Sequence, residues 1–68
     1  MGTRLWFISD EKNKPVKVFP SRKSAELELE AILREDPEAE DYKLYPVTLD
    51  DLEEYPAEFD LAEEEGYI

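Results

Sequence analysis

Leu5, Trp6, Phe7 and Ile8 make the one run of four consecutive large apolar residues in the chain, set between Thr3-Arg4 and Ser9-Asp10. A run this short, rich in aromatic and branched side chains, predicts a β-strand. Neighbouring side chains on a strand point to opposite faces, so Leu5 and Phe7 share one side and Trp6 and Ile8 the other. Both faces are apolar, which predicts a central strand. The polar stretch over residues 10–15 then carries Asn13 and Pro15, and Val16-Lys17-Val18-Phe19 reads as a second strand. Two such runs joined by a short polar link predict an antiparallel hairpin. Val16 and Val18 fall on one face; Lys17 on the other suits an edge strand.

From Pro20 the period changes. Ser21 is placed to cap a helix from about Arg22 to Glu35, on which Ala25, Leu29, Ile32 and Leu33 form an apolar seam at 100° per residue. Asp36-Pro37 ends it, because a residue before proline is pushed out of the helical region. Leu27 and Ala31 lie opposite the seam. Arg22 and Lys23 sit at the positive end of this helix and Glu35 and Asp36 at the negative end, against the dipole. Pairing of Arg22 and Lys23 with the acidic half of the chain would offset that placement.

After an acidic loop over residues 38–41, Tyr42 and the residues that follow predict a third strand, with Pro46 marking an edge or a strand end. A right-handed crossover after a hairpin is satisfied most simply by strand order 2-1-3, with the first strand antiparallel to both neighbours. The fold class expected is therefore α+β: a small three-stranded antiparallel sheet (ββαβ) with one long helix on one face and a C-terminal helical segment. In that segment Asp50 or Asp51 caps a short turn containing Leu52 and Tyr55. Pro56 opens a second helix, and Gly66 ends it in the left-handed conformation with Tyr67 folding back toward Ala62. Phe59 and Ala62 are its inward pair. The sequence leaves open which face the C-terminal segment covers: where the long helix takes Leu5 and Phe7, that segment covers some of Trp6 and Ile8, and otherwise those two residues are left for a second chain.

Sixty-eight residues make one domain, 1–68, burying about 60% of its unfolded surface and holding a single core. Without cysteine or histidine there is no disulfide, no thiolate and no acid-base group titrating near neutrality. No apolar stretch reaches the roughly 18 residues of a membrane span, and the N-terminus lacks the order of a signal peptide, so the expected location is cytoplasmic. Glutamine is also absent and Asn13 stands alone against abundant Glu and Lys, a composition that fits a heat-adapted source.

Charge changes the picture most. The chain carries 19 Asp and Glu against 8 Lys and Arg, net −11. Residues 1–34 hold seven basic and five acidic residues, a balance of +2; residues 35–68 hold one Lys and fourteen acids, a balance of −13. Direct binding of nucleic acid or of an anionic membrane is disfavoured, since both rely on Lys and Arg displacing counterions. A basic protein surface is the favoured partner.

Catalysis is not expected: Ser9, Ser21 and Ser24 have no evident base, and a glycosidase pair of carboxylates needs a sugar cleft for which this domain has little room. No cofactor is expected, and no metal: Asp36, Glu38 and Glu40 alternate like calcium ligands but lack the loop glycine and the terminal bidentate glutamate. Two readings remain. In the first the protein is a small acidic binding module, in its sharper form a nucleic-acid mimic such as a virus-encoded inhibitor of a nucleic-acid-binding protein. Asp50, Asp51, Glu53, Glu54, Glu58, Asp60 and Glu63 to Glu65 would supply the charge and Tyr55, Tyr67 or Trp6 the aromatic anchors. In the second it is an accessory protein that forms a homodimer through the Trp6 and Ile8 face, its acids serving only solubility.

Overall fold

The sheet has three strands in the order 2-1-3, numbered along the chain, with the four-residue apolar run at its centre. The computed structural model describes residues 3–68. In chain order it contains β1 (Arg4–Ser9), β2 (Pro15–Phe19), α1 (Arg22–Glu35), a 3-10 turn (Pro37–Asp41), β3 (Lys43–Thr48), a second 3-10 turn (Leu52–Glu54) and α2 (Pro56–Glu64). Both pairings of β1 are antiparallel. This is the α+β fold expected from the sequence, and no helix among the described residues is long and apolar enough to cross a membrane.

Local chemistry fixes the hairpin. The Asp10 carboxylate accepts the N–H groups of Lys12 and Lys14 at 2.9 and 3.0 Å. Asn13 takes a left-handed φ of 63°, which Asn tolerates better than most residues. The register slips between Ile8, opposite Lys17, and Ser9, opposite Pro15. Val16 is therefore the extra residue of a bulge, and it stays exposed (39%) while Val18 is buried (5%). The expected sharing of one buried face by these two valines is corrected by that slip.

On the other side of β1, Leu49 N–H donates to Thr3 O at 3.0 Å. Antiparallel ladders alternate bonded and non-bonded pairs, which makes Trp6 and Pro46 a non-bonded pair. The proline nitrogen then points away from β1, across an edge where no donor is needed. So β3 runs through Pro46 to Thr48, further than the sequence suggests.

Helix α1 begins at the predicted cap: Ser21 is extended, and its hydroxyl accepts Ser24 N–H at 3.3 Å. It ends at Asp36 before Pro37, and the following residues form a 3-10 turn that buries Ala39 rather than an open loop. α2 ends in a Schellman motif. Gly66 at φ 84° donates to Glu63 O at 3.1 Å, and Tyr67 N–H reaches Ala62 O at 2.9 Å.

The two helices take opposite faces of the sheet. Leu5, Phe7, Val18 and Val47 form the main core with Leu52 and Ala62, and Tyr45, Phe59 and Leu61 pack against it. The C-terminal segment thus covers the Leu5 and Phe7 side. Ile8 faces the other way, opposite Lys17 and Leu44 across the ladders. Lys17 bridges to Glu28 of α1 at 3.5 Å, and the Arg22 guanidinium lies 5.7 Å from the Trp6 ring centroid. The sheet is therefore clothed on both sides, with α1 over Trp6 and Ile8. A continuous apolar run announces two buried faces but carries no mark of which helix each receives.

Candidate interaction surface

The acidic half lies outside this frame. Asp50 and Asp51 occupy the turn after β3, and Glu53 and Glu54 the short 3-10 turn anchored by the buried Leu52 (2% exposed). Pro56 starts α2, where Asp60, Glu63 and Glu64 fall within about 100° of the outer surface at 100° per residue. All seven of these acids are exposed, as are Tyr55 (44%) and Tyr67 (38%). Turn and helix together set the predicted acids and two of the three predicted aromatic anchors on the C-terminal side of the molecule.

Cations do not offset this charge. Among the described residues the ion pairs are Lys17 with Glu28 and Arg22 with Glu26, both within the N-terminal half. Arg22 thus pairs inside its own helix, not with the acidic half as the dipole argument suggested. Lys43, the single cation of residues 35–68, donates instead to the Asn13 side chain at 3.2 Å. Among the described residues no three acidic side chains converge to hold a metal ion.

Glu58 differs from its neighbours. It is half-buried and accepts the Tyr45 hydroxyl at 2.9 Å, at one end of a shallow groove lined also by Ser9, Asn13, Lys43 and Leu44. Tyr45 lies directly across the ladder from Phe7, the ring centroids 5.9 Å apart. Burial pushes the Tyr45 hydroxyl well above the usual phenol range, helped by the hydrogen bond to Glu58 and by its charge. This pairing spans 13 residues of sequence, and no spacing rule marks it.

The other two predicted contact residues stand apart. Ile8 has no exposed surface and Trp6 is half-buried beneath Arg22. Helix α1 lies over the Trp6 and Ile8 face that the sequence offers for a homodimer. A second opening, which the sequence did not signal, lies where the Leu52–Glu54 turn meets α2; Glu53, Pro56, Phe59 and Asp60 line it. Comparison with family models, with curated proteins and with solved structures finds no match to this chain.

Proposed function

We propose that the protein is a small acidic binding module that docks on a basic surface of another protein through residues 50–67. The observation that carries this reading is the set of exposed carboxylates on that segment without a Lys or Arg in ion-pair reach among the described residues. Unpaired charge of one sign costs stability through self-repulsion, which a partner of opposite sign relieves. Tyr55 and Tyr67 supply flat, partly apolar anchors of the kind that dominate interface energies.

Magnitude supports the sharper form, a nucleic-acid mimic. Residues 50–67 carry nine acidic residues and no Lys or Arg, a dense run of one sign such as a nucleic-acid backbone presents to its protein. The partner class is then a protein whose basic surface ordinarily receives DNA or RNA.

Affinity capture from the source cell tests this. A basic partner held at low salt is released as salt approaches about 0.5 M, because screening shortens the reach of exposed charges. Duplex DNA or RNA displaces it. A partner retained unchanged at high salt contradicts electrostatic docking.

A further inference from the structure

We infer that the opening between the Leu52–Glu54 turn and α2 receives an arginine side chain of the basic partner; this rests on the binding reading above and names its point of contact. Pro56, Phe59 and Asp60 are spaced i, i+3, i+4 and so share one face of α2. The Tyr55 N–H bond to Leu52 O, 3.0 Å, reverses the chain and brings Glu53 to the same opening. Phe59 packs its inner side on the core, so its remaining surface, with Pro56, makes an apolar floor. Glu53 and Asp60 stand exposed at the rim with no cation in ion-pair reach among the described residues.

An apolar floor between two carboxylates complements a guanidinium. Its planar, weakly hydrated group stacks on an aromatic ring and offers N–H donors at its edges, which a compact, strongly hydrated ammonium does not match. The positive end of α2 opposes a cation there with about half a charge, and two full carboxylates outweigh it. The groove at Tyr45 is the weaker competitor, since Glu58 is already engaged by the Tyr45 hydroxyl and Lys43 places an ammonium beside it.

Amide-resolved NMR titration of the full chain with the capped tripeptide acetyl-Gly-Arg-Gly-amide, and with its lysine counterpart, tests the assignment at low salt. Shifts are expected at Glu53, Phe59 and Asp60, with the arginine peptide about threefold tighter than the lysine peptide. The double variant E53Q/D60N is expected to weaken arginine binding about fivefold, whereas E38Q/E40Q, which removes the same charge from the Pro37–Asp41 turn, changes it less than about twofold. Equal weakening by both doubles overturns the assignment in favour of a diffuse field and leaves the acidic module standing. Absence of shifts at Glu53, Phe59 and Asp60 while the partner is still captured also overturns it; loss of salt-sensitive capture overturns the broader reading instead.

Discussion

Among the described residues two take left-handed conformations, Asn13 in the hairpin turn and Gly66 after α2. Replacing Asn13 by valine should cost about 1–2 kcal/mol, because a β-branched residue is strained there, while Asn13→Gly should be near neutral. In thermal denaturation each kcal/mol lost corresponds to about 4–8 °C for a domain of this size. Tyr45 offers a second test. Tyr45→Phe removes the hydroxyl from a half-buried hydrogen bond to a carboxylate, a loss of roughly 1 kcal/mol in the unfolding free energy read from urea titration. The folded state holds the Tyr45 proton above the phenol's ordinary value of 10.0. Its contribution is therefore complete below pH 10.0 and lost as pH rises beyond it, since the unfolded chain releases the proton first. The wild type should accordingly lose more stability between about pH 10 and 12 than Tyr45→Phe does.

Among the elements, the short turn Leu52–Glu54 matters more than its length suggests. Leu52 is one of the three largest fully buried side chains, with Phe7 and Ile8. Leu52→Ala should cost about 2–5 kcal/mol, against a total stability of about 3–10 kcal/mol expected for 68 residues. Circular dichroism should therefore show a thermal midpoint lowered by at least about 8 °C, whereas Leu27→Ala, at an exposed site (59%), should stay within about 0.5 kcal/mol of wild type. The same contrast explains what was legible in the sequence. Ser21, Asp36-Pro37, Pro56 and Gly66 act on their own neighbours, so the helix ends could be read from them. The assignment of helices to faces depends on how Glu28 of α1 meets Lys17, and on how Leu52, Phe59 and Ala62 join the core around Leu5 and Phe7. Those contacts join distant parts of the chain and leave no periodic trace. The bulge at Val16 and the pair Tyr45 with Glu58 were hidden for the same reason, while the exposed acids needed no topology to be found.

For the molecule as a whole, the division into a +2 half and a −13 half survives folding without being neutralised across the fold. Ion pairs among the described residues stay within the first half, so the second projects its charge into solvent. Moderate salt should then raise the thermal midpoint of the isolated protein, because screening relieves repulsion among exposed carboxylates. The most direct test compares capture by the wild type with capture by D50N/D51N/E53Q/E54Q, a variant altered only at exposed positions. The acidic-docking account predicts that the wild type takes a basic protein from the source cell at low salt and that the variant takes markedly less, at unchanged thermal stability or better. Equal capture of the same protein by both would contradict it.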